Sequence, residues 1–491
     1  MELNSIAEFL EHKSILVTGS TGFVAKILVE KVLRTQPNVK GLYLLLRAAD
    51  TKLAEQRLHN EVLEKDVFKV LKEKYGPKSA FDSFISNKLV AVAGDISLEN
   101  LGMEDTNLRD QLFKEVDIII NTAATTKFDE RYDVALGINT FGPKHVLDFA
   151  KNCSKLEMFL HVSTAYVCGE TSGVVQEKPF KMGETLNGTL GLDIDEELNL
   201  MSQKLSELRA LKATKEAEKA AMEELGLKRA RLYGWPNTYV FTKAMGEMLV
   251  GKFREEIPLV IIRPTIIIST YKEPFPGWIQ GFRTIDSLTA VYGKGKLTFF
   301  LGNPDSILDV IPGDMVVNAM IISMVAHANH PSQNIYQLGS SFQNPLKLNT
   351  FRSYLYNYFT KNPRISKDGK QIKVGKGILF NSMAAFYAYI TVCCVFPLKG
   401  LQVLNAALCQ HLDGPCNDLN HKISLVLRFV ELYKPYAFFQ GIFDVAKLEK
   451  LSMALDENEF EEKTFHCDPK CIDWEDYFMN IHFPGLVKHV F

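Results

Sequence analysis

The sequence predicts an α/β protein whose larger part is a doubly wound parallel sheet and whose smaller C-terminal part is mainly helical. Short apolar runs alternate with helical stretches through the first half of the chain, which is the pattern of βαβ units. The runs are rich in Val, Ile and Leu on both faces, as strands are when helices cover a parallel sheet from both sides. Six runs show this pattern: residues 15–17, 42–46, 89–92, 116–120, 158–162 and 259–262.

The length of the chain predicts two domains. It has 491 residues, which exceeds the size at which a single hydrophobic core usually keeps growing, and 46% of them are apolar. A basic stretch at 361–376 resembles a linker, and the chain beyond it is aromatic and helical in pattern. We therefore expect a sheet-containing domain over residues 1–350 and a helical domain over residues 351–491.

Charge and cysteine content exclude several classes of protein. The net charge is −2 with 23% charged residues, so the chain shows no bulk electrostatic footprint for nucleic acid. We expect the eight cysteines to be reduced thiols, because disulfide frameworks are usual in short secreted chains. Cys467 and Cys471 do not match a standard zinc spacing, and no metal site is predicted. Since the first strand begins at Ser14, we expect no targeting segment before it.

A highly charged helical stretch interrupts the alternation of strands and helices at residues 193–231. Acidic and basic side chains are mixed along it, which favours a solvated helical insertion. A mobile lid over a substrate is the alternative interpretation.

A glycine-rich turn follows the first strand and opens a helix. Gly19 and Gly22 lack the Cβ atoms that would block the approach of a pyrophosphate to the backbone. The helix N-terminus beyond them offers free N–H groups to phosphates. This strand–turn–helix context predicts a Rossmann-type dinucleotide site. Its residues are Gly19, Ser20, Thr21, Gly22, Phe23 and Val24.

The ends of the next strands indicate which dinucleotide binds. Arg47 ends the second strand, where an acidic residue would bind a ribose 2′-hydroxyl and an arginine suits a 2′-phosphate, so we predict NADPH. A surface arginine that merely ends the strand is the alternative. Asp95 and Ile96 follow the third strand, where Asp95 is placed to reach the adenine. Small residues after the fourth strand let the chain lie close to the cofactor. The remaining predicted cofactor residues are Ala123, Thr125, Lys243 and Pro264.

Three residues predict carbonyl reduction. Hydride transfer to a carbonyl leaves negative charge on oxygen, which needs a proton donor and a stabilising group. Tyr239 and Lys243 are four residues apart and share one face of a helix, and a nearby ammonium lowers the pKa of a phenol. Thr164 follows the fifth strand and can hold the carbonyl oxygen. A Tyr-x-x-x-Lys pair is common by chance, and its position after five strands gives it weight.

The chain resembles the extended short-chain dehydrogenase/reductase superfamily and, more narrowly, the plant alcohol-forming fatty acyl-CoA reductases. The similarity extends from about residue 10 to the C-terminus. Besides the glycine turn, Thr164 and the Tyr239/Lys243 pair, four segments carry it: residues 44–48 (LLLRA), 123–133 (AATTKFDERYD), 233–239 (YGWPNTY) and 272–278 (KEPFPGW).

The resemblance implies a two-step reduction of a long-chain acyl-CoA by NADPH, through an aldehyde, to a primary alcohol and free CoA. Such alcohols serve wax-, cutin- or suberin-type lipids. It implies that Tyr239 donates the proton, that Lys243 lowers the pKa of Tyr239 and holds the ribose, and that Thr164 polarises the carbonyl. Asn139 either orients Lys243, through the backbone or a water, or is a packing amide inside a helix.

Three alternatives remain at this stage. An aldehyde-releasing acyl-CoA reductase would stop after the first reduction. A sugar epimerase of the same superfamily would need a polar pocket, which the aromatic C-terminal part disfavours. A catalytically inactive cofactor-binding protein is disfavoured because Thr164, Tyr239 and Lys243 are all present.

An uncharged run at residues 378–398 suggests contact with a membrane. It is long enough to span a bilayer, but a helix at the membrane interface or a buried core helix fits equally well. The basic stretch before it, with six basic residues and one acidic residue, suits an anionic cytoplasmic leaflet. We expect association with the endoplasmic reticulum membrane, an active site facing the cytosol, and docking through Phe386 and Val392. The sequence leaves the oligomeric state open.

Overall fold

A seven-stranded parallel sheet forms the centre of the protein, in the strand order β11-β7-β5-β4-β1-β2-β3. The structure, a computed structural model, describes residues 5–407, 413–453 and 459–491. The strands of these residues are β1 (Ser14–Thr18), β2 (Gly41–Leu46), β3 (Leu89–Ala93), β4 (Ile118–Asn121), β5 (Met158–Val162), β6 (Ser172–Val175), β7 (Leu259–Pro264), β8 (Ile266–Ile268), β9 (Phe299–Leu301), β10 (Val310–Pro312), β11 (Gln333–Leu338), β12 (Ile378–Phe380) and β13 (Gln440–Phe443).

Helices cover both faces of this sheet, and further helices form the C-terminal part of the protein. In the part of the chain that the structure describes they are α1 (Ile6–Leu10), α2 (Phe23–Thr35), α3 (Thr51–Arg57), α4 (Lys69–Tyr75), α5 (Lys78–Lys88), α6 (Thr106–Glu115), α7 (Tyr132–Ala135), α8 (Gly142–Ala150), α9 (Ile194–Ala210), α10 (Lys215–Leu232), α11 (Thr238–Phe253), α12 (Thr284–Gly293), α13 (Gly313–His327), α14 (Leu348–Lys361), α15 (Met383–Ile390), α16 (Phe396–Ala407), α17 (Asp413–Ala437), α18 (Ala446–Met453), α19 (Glu459–Thr464), α20 (Trp474–Asp476) and α21 (Phe483–His489). Short π-helical segments, including Leu136–Phe141 and Thr391–Val395, join some of them.

The predicted fold class is confirmed. All six apolar runs form central strands, although β4 begins two residues later than the predicted run at 116–120. Side chains alternate between the two faces: Ile15 and Val17 pack into one core cluster with α2 and α13, while Leu16 packs into another with α6 and α8. Burial on both faces explains why these runs are apolar throughout. The seventh strand, β11, pairs in parallel with β7 and was not predicted.

The strand order creates a crevice at the carboxyl ends of β1 and β4. From β1 the chain proceeds outward to β2 and β3, and then crosses back to β4 on the other side of β1. Ligands of open parallel sheets bind outside the carboxyl ends of the strands at such a reversal. The topology therefore places the glycine turn after β1 at the mouth of this crevice.

The charged insertion at 193–231 consists of the two helices α9 and α10, as predicted. Its Glu197 is buried, forms an ion pair with Arg229 and accepts a hydrogen bond from the hydroxyl of Tyr132 at 2.6 Å. Apolar side chains of both helices, including Met201 and Met222, pack against Tyr132 in one core cluster. The insertion is thus fastened to the sheet domain, with its charged faces in solvent.

The C-terminal part is mainly helical, and its last residues pack into the core of the sheet domain. Tyr477, Phe478 and Phe483 belong to the same core cluster as α2 and α13. Two short parallel pairings, β12 with β9 and β13 with β6, also join the two parts. Helix α14 begins just before residue 350, so the domains at 1–350 and 351–491 stay a prediction.

The uncharged run at 378–398 is not one continuous helix, although each interpretation of the sequence assumed one. Its first residues form strand β12, and a helical stretch follows from Met383 to Ala406 that is long and apolar enough to cross a membrane, by length and composition. Val392 is 61% exposed, whereas Phe386 is fully buried against Phe380 and Ile390. The prediction that Phe386 docks on a membrane is therefore wrong, because this ring fills a small hydrophobic core.

The cysteines of the described residues are free thiols, as predicted. They are Cys153, Cys168, Cys393, Cys394, Cys416, Cys467 and Cys471. Cys409 lies outside the described residues. Within residues 5–407, 413–453 and 459–491, no group of three or more His, Cys, Asp or Glu side chains could hold a metal ion.

Candidate active site

A cavity of about 760 Å³ opens at the carboxyl ends of the central strands. Its volume is within the usual range for small-molecule sites. The walls come from the glycine turn, from the ends of β4, β5 and β7, from the start of α12 and from one face of α17. Thr164, Tyr239 and Lys243 all line it, so the three residues chosen from the sequence for catalysis meet in one place.

The glycine turn has the geometry of a dinucleotide cradle. Gly19 has φ +68°, and a Cβ atom there would come 2.6 Å from the backbone nitrogen of Ala123, so a side chain is excluded. The N–H of Gly22 donates to the Gly19 oxygen at 2.8 Å, and the hydroxyl of Ser20 donates to the Val17 oxygen at 2.9 Å. These bonds hold the turn so that α2 begins at Phe23 with its N-terminus at the cavity. A pyrophosphate fits such a helix N-terminus.

The other predicted cofactor residues lie along the same edge of the sheet. Arg47 is exposed directly after β2, and its backbone oxygen accepts a hydrogen bond from Arg57 at 2.6 Å. Pro264 lines the cavity at the end of β7. Asp95, after β3, accepts hydrogen bonds from the N–H and hydroxyl of Ser97. Of these three residues, Pro264 lines the cavity, whereas Arg47 and Asp95 lie outside its lining.

The predicted residues Ile96, Ala123 and Thr125 have their side chains engaged elsewhere. Ile96 and Ala123 pack into the core cluster beneath the sheet, and the hydroxyl of Thr125 donates to Glu130 at 3.0 Å. Thr122, Ala124 and Thr126, which flank Ala123 and Thr125 in the chain, line the cavity instead. Alternation along an extended segment explains the difference, because successive side chains point to opposite sides.

Thr164 and Tyr239 lie side by side in the cavity. Helix α11 begins at Thr238, and Asn237 caps it by accepting a hydrogen bond from the N–H of Val240 at 3.2 Å. This cap places Tyr239 in the first turn, where its hydroxyl shares a hydrogen bond with Thr164. Burial raises the pKa of the phenol to about 12, and the bond to Thr164 opposes this increase only in part. The phenol is therefore protonated near neutral pH and can donate a proton.

Lys243 is buried one turn further along α11. Its ammonium donates a hydrogen bond to the Val162 oxygen at 2.7 Å and lies 3.3 Å from Nε2 of His161. Burial lowers the pKa of Lys243 to about 8. Burial, together with the Lys243 charge, also lowers the pKa of His161 well below its usual value, so the imidazole is neutral.

Asn139 acts as a packing amide. Its side chain accepts a hydrogen bond from the N–H of Thr125 and donates one to the oxygen of the same residue, both at 3.0 Å. It also donates to the hydroxyl of Thr242 at 3.1 Å, next to Lys243 in the chain. These contacts fix the loop after β4, as a packing amide would, and the bond to Thr242 reaches the residue next to Lys243 in the chain.

Helix α17 supplies a wall that the sequence did not reveal. Tyr436 accepts a hydrogen bond from the side-chain amide of Asn237 at 2.8 Å and stacks on Phe128, with ring centroids 4.8 Å apart. Arg428 donates to Asp129 at 2.9 Å and to Glu223 of α10 at 2.6 Å. This ion-pair cluster ties the C-terminal part to the charged insertion across the cavity. The aromatic pattern of the region was its only signal in the sequence.

Ser163 provides an independent sign of a ligand. Its hydroxyl is buried, lines the cavity and has no hydrogen-bond partner within the described residues. Buried hydroxyl groups without partners are rare in native proteins, because leaving one unsatisfied costs free energy. A polar ligand in the cavity would satisfy this group.

Comparison with known proteins agrees with this geometry. Two family models described as male sterility protein match the chain, the NAD-binding one over residues 17–320 and a second over residues 393–491. An alcohol-forming fatty acyl-CoA reductase of Simmondsia chinensis is 53% identical over 491 residues, which cover 100% of this chain and 99% of that protein. Fatty acyl-CoA reductase 1 of Arabidopsis thaliana is 52% identical over 492 residues, with coverage of 100% and 99%.

Solved structures share the fold at low sequence identity. The terminal R domain from the myxalamid PKS-NRPS biosynthetic pathway is 16% identical with a TM-score of 0.57, covering 97% of this chain and 91% of that one. A thiolation-reductase di-domain from an archaeal non-ribosomal peptide synthetase is 15% identical with a TM-score of 0.52, covering 98% and 76%. Sequence identity over the full length, together with the NAD-binding family model, shows that the chain belongs to the fatty acyl-CoA reductase family.

Proposed function

We propose that the protein reduces long-chain fatty acyl-CoA to a primary alcohol and free CoA, using NADPH in two successive reductions through an aldehyde. The observation that carries this proposal is the placement of Tyr239 and Thr164 beside the glycine turn, in a cavity whose far wall on α17 presents apolar side chains next to the Arg428 ion pairs. The alcohol-forming relative supports the choice of substrate and product. Such an alcohol would enter wax-, cutin- or suberin-type lipids.

In each reduction, residues of the protein donate the proton and bind the carbonyl oxygen, while NADPH, when bound, supplies the hydride. Thr164 holds the carbonyl oxygen, and Tyr239 donates its proton to that oxygen as negative charge develops there. Lys243 would hold the cofactor ribose. Thr164 and the charge of Arg283 are the groups that oppose the increase in the pKa of Tyr239 caused by burial. After the first reduction, the C–S bond of the hemithioacetal breaks, CoA leaves as the thiol, and the aldehyde occupies the same site for the second reduction.

The preference for NADPH rests on Arg47. Its exposed guanidinium stands directly after β2, on the strand next to β1, which leads into the glycine turn. An arginine at this position suits a 2′-phosphate, because its planar fork of donors matches phosphate oxygens.

Apolar side chains make the far wall of the cavity suitable for an acyl chain. Phe128, Phe282, Leu425, Phe429 and Leu432 all line it. A nucleotide sugar would need polar partners at these positions, since buried hydroxyl groups require hydrogen bonds. This composition favours an acyl-CoA over the substrate of an epimerase.

We further propose that the helical stretch from Met383 to Ala406 docks the protein on the endoplasmic reticulum membrane, with the active site in the cytosol. Several of its apolar side chains are exposed, among them Val392, Phe396 and Val403. Docking would bring the protein to the phase in which long acyl chains partition. The domain division at residue 350 is part of the same proposal, with catalysis in 1–350 and docking in 351–491.

Product analysis tests the proposed reaction. The protein is expressed in yeast, supplied with palmitoyl-CoA and NADPH, and its products are separated by gas chromatography. We expect hexadecanol, with two NADPH oxidised for each alcohol formed. Accumulation of hexadecanal with one NADPH oxidised would establish the aldehyde-releasing alternative. Turnover of UDP-glucose without turnover of palmitoyl-CoA would overturn the proposal in favour of an epimerase.

A further inference from the structure

The loop before α12 is fastened to the glycine turn. The ring of Trp278 stacks on Phe23, with centroids 5.0 Å apart and an angle of 17° between the rings. The ammonium of Lys26, which is buried, donates hydrogen bonds to the Thr21 oxygen and, at 2.8 Å, to the side chain of Gln280. These contacts hold the end of the loop, where Arg283 precedes α12, beside the cofactor cradle.

Arg283 presents its guanidinium to the active-site cavity. The central carbon of the guanidinium lies 4.7 Å from the centroid of the Phe23 ring, and Arg283 lines the cavity together with Gly22 and Tyr239. Burial raises the pKa of the Tyr239 phenol, and the charge of Arg283 partly opposes this increase. The carboxylate of Asp286, whose charge acts on Arg283, lies 3.3 Å from the imidazole of His482.

Among residues 5–407, 413–453 and 459–491, no ion pair or side-chain hydrogen bond involves this guanidinium, and the charge of Asp286 acts on it without such a bond. The residue is only partly exposed, and burial lowers the pKa of Arg283, so its charge is poorly solvated. A poorly solvated cation without a bonded partner is costly, and an anionic ligand would offset the cost. The planar guanidinium donates two parallel hydrogen bonds to phosphate oxygens.

The adjacent glycine turn indicates which anion this would be. The start of α2 at Phe23 directs free N–H groups and a positive dipole end to the pyrophosphate of a dinucleotide. Arg283 stacks on the side chain of that same residue. We propose that Arg283 is a second anchor for the cofactor pyrophosphate, which it binds together with the backbone of the glycine turn. The anchor is separate from Arg47, which we assign to the 2′-phosphate.

Direct binding measurements on the full chain test this assignment. Dissociation constants of NADPH, NADH and adenosine 2′-monophosphate are measured by calorimetry for the wild type and for Arg283→Ala. We expect the dissociation constants of NADPH and NADH to rise by similar factors, about tenfold to a hundredfold, because both cofactors contain the pyrophosphate. The constant of adenosine 2′-monophosphate, which has no pyrophosphate, should change less than about twofold. Arg283→Lys should restore part of the lost affinity, because it keeps the charge.

Lys294→Ala is the matched control, since Lys294 is an exposed cation at the opposite end of α12 and should leave all three constants unchanged. Circular dichroism and thermal unfolding establish that each variant is folded. An unchanged affinity of Arg283→Ala for NADH overturns the proposal. So does an equal loss for adenosine 2′-monophosphate. A wild type that binds cofactor without reducing palmitoyl-CoA would contradict the proposed function and leave this assignment intact.

Discussion

The ammonium of Lys243 donates a hydrogen bond to the backbone oxygen of Val162 at 2.7 Å, two residues before Thr164. This bond joins α11 to the end of β5. Tyr239 stands one helical turn before Lys243, so the same contact fixes the phenol opposite Thr164. A single buried lysine thus serves both the geometry of the site and, in the proposed mechanism, the cofactor ribose.

Lys243→Met should reduce activity without lowering the stability of the fold. Burial lowers the pKa of Lys243 from 10.5 to about 8, so the buried charge costs about 3 kcal/mol of stability at pH 7. Loss of the hydrogen bond to Val162 offsets about 1 kcal/mol of the gain. We expect Lys243→Met to unfold at an equal or higher temperature than the wild type at pH 7, with alcohol production greatly reduced.

The pH dependence of this difference follows from the sign of the pKa shift. The penalty is complete below pH 8, shrinks as the pH rises from 8 to 10.5, and vanishes above 10.5, where the lysine is neutral in both folded and unfolded chains. Denaturant titrations of both proteins across this range measure the difference. A wild type that is more stable than Lys243→Met at pH 7, with a difference independent of pH, would contradict the argument.

Tyr239→Phe should abolish most of the activity and leave the fold intact. The substitution removes the proton donor but keeps the ring, so turnover of palmitoyl-CoA should fall by about a hundredfold or more. Tyr43→Phe is a suitable control, because it removes a tyrosine hydroxyl bonded to Glu115, which does not line the cavity. Wild-type alcohol production by Tyr239→Phe would show that another group donates the proton.

Arg47→Ala should discriminate between the two nicotinamide cofactors. Only NADPH has a 2′-phosphate, so its Michaelis constant should rise about tenfold or more, whereas that of NADH should change little. Initial rates with each cofactor at saturating palmitoyl-CoA provide the measurement. Arg57→Ala is the comparison variant, because it removes a neighbouring guanidinium that contacts the backbone of Arg47 and pairs with Glu61. Equal increases for both cofactors in Arg47→Ala would remove Arg47 from the 2′-phosphate site.

Arg428→Ala should loosen the far wall of the cavity. The ion pairs of Arg428 with Asp129 and Glu223 hold α17 against the loop after β4 and against α10. We expect the Michaelis constant for palmitoyl-CoA to rise more than that for NADPH, since α17 supplies Leu425 and Phe429 to the wall. Lys422→Ala is the control, because it removes an exposed ion pair with Asp418 on the same helix. Identical kinetics of the two variants would show that the cluster does not shape the substrate site.

Two aspartates at Val392 and Val403 should release the protein from membranes. Both side chains are more than half exposed, so a charge there costs little in the folded protein and much at a lipid surface. Fractionation of yeast expressing the variant should move it from the membrane pellet to the supernatant. The comparison variant is Phe386→Asp, which places a charge in the small core with Phe380 and should lower the unfolding temperature instead. A folded double variant that stays in the pellet would place the docking surface elsewhere.

The sequence by itself determined the features that depend on local pattern. Strands buried on both faces must be apolar throughout, so six of the seven central strands could be found. The φ of +68° at Gly19 and the start of α2 at Phe23 likewise follow from a short motif. The spacing of Tyr239 and Lys243 is local too, because one helix carries both residues.

Only the tertiary structure decided which distant residues complete the site. Arg283 and Arg428 lie far along the chain from the glycine turn and from Asp129, and no local pattern brings them together. The same holds for Phe386 and Val392, six residues apart in one uncharged run, of which one is buried and the other exposed. Periodicity shows that a segment has an apolar face, but the partner that covers this face is set by long-range packing. For that reason the sequence could single out Thr164, Tyr239 and Lys243, which line one cavity, whereas the α17 wall and Arg283 could not be predicted.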